Sequence, residues 1–489
     1  MDYSQFLVMK QEICLLVVFL LVFLADLFVP RKCQKHIGIL SCVLFGIYTV
    51  VCFIPGFLGD ADASVFGGMY ATSPVVAAIK NILNVGALIV MVQSLGWINT
   101  EAQQYRRGEF FELTMLTLFG MFLMISSRHF LMFVIGLECA SLPLAAMVAF
   151  DKHRYESHEA AVKYILTAVF SSAIFMMGLS FVYGLTGTLY YSGIAENLIK
   201  ASSTNMALLV VALAFVISGV GYKLSLVPFH LWTADVYQGA PTSVTSYLSV
   251  ISKGSAAFAF LVILCQVFGS VYSDIWEWML YALIILTITV GNLFAIRQHN
   301  LKRFLAFSSI SQAGYIMLGI IAKDAMGVSA LMYYILVYIF SNLAAFGVIQ
   351  AVENKTGKVD MNDYNGLSKT NPRLAFTMML AMFSLAGIPP FAGFFSKFFI
   401  FTSAISQGSV AIYILVLIAL INTIISLYYY LLVVKAMYIN TEEPCSIPTF
   451  KSAFSERLSL WVCVAGIIGL GIVSFFYDSL LNLGWWLIQ

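Results

Sequence analysis

Long apolar segments recur along this chain and limit it to one class of fold. About fourteen such stretches of roughly 20 residues each are separated by short polar loops. Each stretch is long enough to cross the roughly 30 Å hydrocarbon core of a bilayer as a helix. With 61% hydrophobic and 10% charged residues, the 489-residue chain is too apolar for a soluble protein. We therefore expect an all-α polytopic membrane protein with about fourteen transmembrane helices.

The loops carry most of their cations on one side. Loops that follow odd-numbered segments hold seventeen lysines and arginines, whereas those on the opposite side hold four. The positive-inside rule then places the first set in the cytoplasm and both termini on the non-cytoplasmic side. No organelle-targeting segment is visible, so we expect a bacterial plasma membrane. The net charge of +2 argues against a nucleic-acid partner.

Two proline-containing apolar segments indicate an internal repeat. One covers residues 221–230 around Pro228, and the other covers residues 385–397 around Pro389 and Pro390. Each interrupts the fourth helix of a five-helix unit, and because five is odd, the second unit must be inverted relative to the first. We predict four parts: an N-terminal three-helix segment (1–109), a first repeat (110–270), a second inverted repeat (271–440) and a C-terminal helix (441–489).

Four ionisable residues lie inside apolar segments, far from the charged loops: Glu138, Lys223, Lys253 and Lys397. A charge in the bilayer core costs about 3 kcal/mol or more on insertion scales, so such residues usually mark ion or proton pathways. A proline also frees a backbone carbonyl, which needs a polar partner within the membrane. Because a lysine accompanies each proline break, we predict polar pockets there and a proton relay through these residues. A kink used only for packing is the alternative at each break.

The first two of these residues form a candidate coupled pair. Two unit charges 4 Å apart interact by about 4 kcal/mol at an effective dielectric near 20, enough to decide whether a buried lysine keeps its proton. We expect Glu138 and Lys223 to titrate together, with separation of the pair releasing the proton. An inert ion pair that fixes helix packing is the alternative.

Several other residues are secondary candidates. Lys163 and Lys80 lie near the starts of their segments, where a lysine can extend to the headgroups, and Lys163 is also a relay candidate. His230 follows the first break and can relay protons or cap the backbone. Asp235 is a candidate for the cytoplasmic opening of the first path.

Redox and nucleotide motifs do not stand out. Gly219-Val220-Gly221 lacks the third glycine of a dinucleotide loop, and the eight cysteines contain no CxxC pair. We expect no cofactor or metal in this chain, so any electron transfer would take place in another chain.

The sequence from Lys223 to Lys253 resembles a known family. It begins KLSLVPFHLWTADVYQGAPTSVTSYLS and is similar to the antiporter-like membrane subunits of proton-pumping NADH–quinone oxidoreductase, respiratory complex I. The resemblance covers roughly residues 110–440. Supporting matches are GLE at 136–138, SLP at 141–143, KR at 302–303, SSI at 308–310 and GIPP at 387–390.

This resemblance implies a role within a larger enzyme. Glu138 and Lys223 would be the coupled pair, Lys253 the bridging lysine, Lys397 the terminal lysine, and Lys163 a further lysine near the first path. Quinone reduction in partner subunits would drive protons through this relay, and those subunits would hold NADH, FMN, iron–sulfur clusters and quinone. The partners would be other membrane-arm subunits, especially neighbouring antiporter-like ones, within a lipid bilayer.

One residue departs from the family pattern, and other functions remain open. Gln312 stands where several relatives carry a histidine, and glutamine does not titrate. A subunit of a multisubunit sodium–proton antiporter or of a membrane-bound hydrogenase would share the fold and the lysines. A stand-alone secondary transporter is a further alternative, although it should carry more substrate-binding side chains at the breaks.

Overall fold

The protein is almost entirely helical. Its structure is a computed structural model, which describes residues 3–54, 63–100, 103, 106–201, 206–269, 273–440, 445–472 and 475–488.

Three long helices and a small β-hairpin form the N-terminal segment. In chain order they are α1 (Lys10–Phe28), α2 (Ile37–Cys52), the antiparallel strands β1 (Ala63–Val65) and β2 (Tyr70–Thr72), and α3 (Pro74–Ile98).

Five membrane crossings and a short connecting helix follow. They are α4 (Arg107–Ser126), α5 (Phe130–Val148), α6 (Tyr155–Thr186), the short α7 (Tyr191–Ala201), the broken pair α8 (Met206–Leu224) and α9 (Leu231–Gly239), and α10 (Thr242–Tyr247), which continues through a π-helical turn (Leu248–Ser252) into α11 (Lys253–Gln266).

A second set of five crossings has a similar order. It comprises α12 (Ser273–Ala295), α13 (Leu301–Ile321), α14 (Ala325–Thr356), the short α15 (Leu367–Thr370), the broken pair α16 (Pro372–Ala386) and α17 (Ala392–Ile405), and α18 (Val410–Tyr438). The predicted C-terminal part, expected to be one helix, contains α19 (Phe454–Ile472) and the shorter α20 (Phe475–Ile488).

The number of membrane crossings agrees with the sequence. Thirteen helices of the described chain are long and apolar enough to cross a bilayer. The shorter apolar helices α16 and α17 together form one more crossing. The prediction of an all-α polytopic membrane protein is therefore confirmed, and both proline-containing segments interrupt helices as expected.

The two five-helix units pack their helices in matching pairs. Helix α4 packs on α5 as α12 packs on α13, and α6 packs on α8 and α9 as α14 packs on α16 and α17. Both tight pairs use a glycine: a side chain at Gly120 would collide with the backbone of Ala140, and one at Gly291 with the backbone of Ser311. Close approach at small residues is a principal source of helix association in membranes. This correspondence supports two related units, while their inversion and the four-part division stay predictions.

Burial separates interior helices from peripheral ones. Every residue of the most apolar 18-residue window of α13 is buried, as are most residues of α14 and of α10 to α11. In α1 and α6, by contrast, only 28% of the corresponding window is buried, and many of the apolar side chains are exposed. The polar residues of α10, α11, α13 and α14 therefore face one another inside the protein, where every polar group needs a partner.

The second break depends on a glycine at the start of α17. A β-carbon at Gly393 would overlap the carbonyl oxygen of Ser384, and the Gly393 N–H donates to the Ser384 hydroxyl at 3.2 Å. We expect Gly393→Ala to push α16 and α17 apart and to lower the amount of folded protein in the membrane, measured by detergent extraction and native gel electrophoresis. Gly184→Ala is the matched control, because a β-carbon there, on the exposed side of α6, meets nothing within 4 Å. Equal amounts of the two variants would contradict this expectation.

Candidate functional site

Lys223 occupies a polar pocket at the first break. It lies in the last turn of α8, and its Nζ donates to the Ser141 hydroxyl at 2.5 Å. That hydroxyl donates in turn to the carbonyl of Leu137 at 2.7 Å. A cavity of about 10 Å³ adjoins the lysine, close to the smallest volume that holds one water molecule. The ammonium is thus buried with a hydroxyl and room for water beside it.

Glu138 lies close to this pocket without contacting the ammonium. It is half-buried on α5, one turn before Ser141. Among the described residues, the ion pairs within 4.0 Å do not include Glu138 and Lys223. Their coupling stays a prediction.

Lys253 connects the two five-helix units. It directly follows the π-helical turn and is only 1% exposed. Its Nζ donates to the hydroxyl of Ser309 on α13 at 2.6 Å and to the carbonyl of the same residue at 2.8 Å. π-Helical turns are often found at functional sites, and here the turn immediately precedes the central lysine.

Hydrogen bonds continue from α13 to the second break. The hydroxyls of Ser308 and Tyr430 lie 2.5 Å apart, and the amide of Gln312 donates to the Tyr430 hydroxyl at 3.1 Å. The same amide reaches the carbonyl of Leu385 at 3.5 Å, to which Lys397 Nζ also donates at 3.0 Å. Ser308 is the chain neighbour of Ser309, which binds Lys253. A row of polar groups, called here the polar file, therefore runs from Lys253 to Lys397. Its one covalent step is the peptide bond between Ser308 and Ser309.

Gln312 therefore acts as a bridge in this file. Its amide donates toward Tyr430 and Leu385, and its carbonyl oxygen accepts from the Tyr334 hydroxyl. A cavity of about 10 Å³ lies between this residue and Lys397. The glutamine cannot titrate, but it orders hydroxyl groups on both sides.

Lys397 caps the broken helix. Its Nζ donates to the carbonyls of Leu385 and Ala386 at 3.0 and 3.1 Å, and these belong to the last turn of α16. The carbonyl of Leu385 is the group that Pro389 cannot bond, so the structure supplies the expected polar partner. The ammonium also lies 5.2 Å from the centre of the Tyr315 ring, a favourable cation–π distance.

The secondary candidates lie at the end of the bundle that carries most loop cations. Lys163 Nζ contacts Glu159 and Asp235, each at 2.7 Å, and its side chain is 42% exposed. Arg303 binds the second oxygen of Asp235 at 2.7 Å. Exposed pairs of this kind contribute about 0–1 kcal/mol, so this cluster adds little to stability. His230 precedes α9, and its buried Nδ1 has no hydrogen-bond partner within the described chain.

The expectation that Lys80 extends to the headgroups was wrong. Lys80 is 1% exposed, and its Nζ contacts the carboxylate of Glu12 at 2.6 Å. The Tyr70 hydroxyl donates to the same carboxylate, 3.0 Å from each oxygen. The three side chains come from α1, α3 and the β-hairpin, and all three are buried. The sequence placed Lys80 near the start of its segment and did not identify Glu12 as its partner, so an interfacial lysine was the expectation.

The sequence analysis also did not predict a second ion pair, between Lys302 and Glu353, because their sequence positions do not reveal the contact. Lys302 and Glu353 lie near the ends of α13 and α14, where the sequence suggests loop charges, yet Lys302 is only 1% exposed.

Among the described residues, no group of three or more His, Cys, Asp or Glu is arranged to hold a metal ion.

The fold, together with the polar file between Lys253 and Lys397, defines an antiporter-like membrane protein. The family model for the membrane segment of NADH:quinone oxidoreductase and Mrp antiporters matches residues 127–426. The chain is 52% identical to NADH-quinone oxidoreductase subunit N of Phocaeicola vulgatus over 481 residues, which is 98% of this chain and 99% of the relative. The chain belongs to the NADH-quinone oxidoreductase subunit N family.

Two solved structures share this fold. A chain of respiratory complex I from Thermus thermophilus with bound aureothin matches with a TM-score of 0.78 and 29% identity, covering 95% of this chain and 97% of that one. A chain of the Mrp complex from Dietzia sp. matches with a TM-score of 0.82 and 20% identity, covering 100% and 97%. The second similarity concerns the fold alone.

Proposed function

We propose that this chain translocates protons as a membrane-arm subunit of an NADH–quinone oxidoreductase. Quinone reduction in other subunits drives the process, and those subunits hold NADH, FMN, iron–sulfur clusters and quinone. The observation that carries the proposal is the polar file from Lys253 to Lys397 within a chain that matches subunit N over its full length. Identity to subunit N, rather than the fold shared with the Mrp complex, favours quinone-linked translocation over sodium exchange.

Three buried lysines are the proton carriers in this proposal. Burial disfavours the ammonium form, so a lysine in the interior can release a proton that it would keep in water. The Lys223 pocket is lined in part by Ala256, which lies one turn after Lys253 on α11, and in this proposal the proton passes between the two lysines along this side of α11. Lys253 then passes its proton through the hydroxyl-lined file to Lys397.

Glu138 controls the first step in this proposal. In the present arrangement Lys223 contacts Ser141, and the carboxylate lies beyond contact distance, which corresponds to the separated state of the pair. Approach of Glu138 would hold the proton on the lysine, and its withdrawal would release it toward Lys253. Lys163 and His230 lie at the predicted cytoplasmic end, where they assist proton uptake.

The proposed setting is a bacterial plasma membrane with both termini on the non-cytoplasmic side. The cations of the connecting loops support this orientation. The partners are other membrane-arm subunits, especially neighbouring antiporter-like ones, which cover part of the outward apolar surface of the peripheral helices.

Substitution of the first pair tests this function. We expect Lys223→Ala and Glu138→Ala to lower proton pumping and the coupled NADH–quinone reductase rate, because the first transfer loses its carrier or its control. Pumping is measured by dye quenching in membrane vesicles, and assembly by native gels. Lys355→Ala, an exposed lysine of α14, is the control and should pump normally. Normal pumping in both test variants would refute the assigned roles.

A further inference from the structure

We propose that Glu353 and Lys302 form a proton-uptake site, which draws protons from a cytoplasmic cavity and passes them to Lys253 along a polar stripe. The inference rests on the proposed function, because it supplies an uptake route for the same relay.

A large cavity opens at the end of the bundle predicted to face the cytoplasm. Its volume is about 350 Å³, which is room for several water molecules. The loop between α5 and α6 contributes Asp151 and Arg154, α10 contributes Ser243, and α14 contributes Gln350 and Glu353. Charged and polar side chains therefore surround a space large enough to be hydrated.

Glu353 joins the mouth of this cavity to the interior. One carboxylate oxygen accepts from Arg154 at 2.8 Å, and the other accepts from the Thr242 hydroxyl. The first oxygen also lies 3.8 Å from Nζ of Lys302, which donates to the carbonyl of Ala240 at 2.7 Å. Arg154 is 41% exposed and Lys302 is 1% exposed. The carboxylate thus stands between a solvated cation and a buried lysine.

A stripe of hydroxyl groups leads inward from the cavity. Ser243, Ser246 and Ser249 recur every third residue, so they lie on neighbouring turns, and Lys253 follows one turn later. The hydroxyl of Ser246 donates to the carbonyl of Ser243 at 2.8 Å, and that of Ser249 to the carbonyl of Ser246 at 2.9 Å. Asn342 donates to the Ser249 hydroxyl at 2.8 Å. All of these side chains are buried.

Several buried oxygen atoms between the cavity and Lys253 have no hydrogen-bond partner among the described residues. Of the buried side-chain oxygens that lack a partner within the described chain, four belong to residues around this route: Gln93, Ser243, Asn342 and Gln350. The side-chain amide of Gln350 donates to the backbone carbonyl of Gln93 at 3.0 Å, so these two residues are neighbours. Buried polar atoms normally have partners, so this group has the capacity to bind water between the cavity and the central lysine.

An inert pair that ties α13 to α14 would be the simpler account, since buried ion pairs are often structural. A purely structural pair explains neither the cavity at Glu353 nor the unpartnered oxygens beyond it. The deciding measurement must therefore separate proton transfer from folding.

Glu353→Gln in the assembled complex tests the site. Glutamine keeps one oxygen to accept from Arg154, and its NH2 group can donate to the Thr242 hydroxyl, but it cannot exchange a proton. We expect normal assembly, loss of most proton pumping and of coupled quinone reduction, and recovery in Glu353→Asp. Glu456→Gln is the matched control, because Glu456 is a buried carboxylate near the same end that accepts from Asn354 and from the Ala453 N–H. It should pump normally.

Thiol labelling gives a readout that does not depend on activity. Ser243→Cys should react with a membrane-impermeant thiol reagent added to the cytoplasmic face of inside-out vesicles, counted above the labelling of the unmodified complex. Ser459→Cys, buried on α19 near the same end, should not react. If Glu353→Gln fails to assemble, this labelling decides the question.

The outcomes separate the two proposals. Normal pumping in Glu353→Gln, or no labelling of Ser243→Cys, would overturn the uptake site. If Lys223→Ala blocks pumping while Glu353→Gln does not, the relay stands and only this uptake route is wrong. If the lysine variants also pump normally, the proposed function itself fails.

Discussion

Lys253→Arg is expected to stop proton transfer through this chain while the complex still assembles. Arginine keeps the positive charge and can bond Ser309, but it does not release its proton at any useful pH. Among the described side chains, Lys253 is the one lysine of the first five-helix unit that hydrogen-bonds to the second, so no other lysine of the proposed relay replaces it. We expect transfer through this chain to fall by on the order of 100-fold, the size of effect that a lost acid–base group produces.

The measurement compares proton pumping with quinone reduction in vesicles that contain equal amounts of assembled complex. Lys253→Met removes the charge as well and should fail equally, whereas Lys355→Arg at an exposed site should behave as the parent protein does. Retained pumping in Lys253→Arg together with loss in Lys253→Met would show that the residue acts through its charge and carries no proton.

Lys80→Met should strongly destabilise the N-terminal segment. The substitution leaves the buried carboxylate of Glu12 without its cation, and among the described residues Tyr70 remains as its donor. Breaking a buried ion pair in this way typically costs about 3–5 kcal/mol. A loss of 1–2 kcal/mol already changes protein abundance several-fold, so little assembled complex should remain.

The double variant Glu12→Gln with Lys80→Met isolates the cause. It removes both charges, so the amount of complex on native gels and its half-life at raised temperature should recover toward the parent values. Lys355→Met, an exposed lysine, should have no effect. A double variant that is no more stable than Lys80→Met would show that the carboxylate is not the source of the damage.

The sequence predicted the parts of this protein that depend on local pattern. Apolar length and proline position predicted the crossings and both breaks, because a helix in a membrane must satisfy its own backbone. Lys223, Lys253 and Lys397 were predicted to be buried, since each lies in mid-segment, and the structure buries all three. The partner of Lys397 followed from Pro389, which frees the carbonyl of Leu385.

Tertiary packing determined the rest. Lys80 and Lys302 lie within a few residues of helix ends, where sequence cannot distinguish a lysine that reaches solvent from one enclosed by neighbouring helices. Their partners, Glu12 and Glu353, are 68 and 51 residues away in the chain, so no local pattern pairs them. The contact of Lys223 with a serine instead of a carboxylate was equally hidden, because it depends on how α5 and α8 approach one another.

The hydrogen bonds from Lys397 to the last turn of α16 link the charge of this lysine to the stability of the helix break. A positive charge at the C-terminal end of a helix is attracted to its dipole by about 0.3–1 kcal/mol, and by more when partly buried. In the proposed relay, release of the proton from Lys397 would end this attraction and weaken the contact at the joint between the two half-helices. Helix α19 packs on both halves, with Gly471 set directly against the backbone of the joint. In that proposal, a movement at this joint would reach α3 through α19, which also packs on α3.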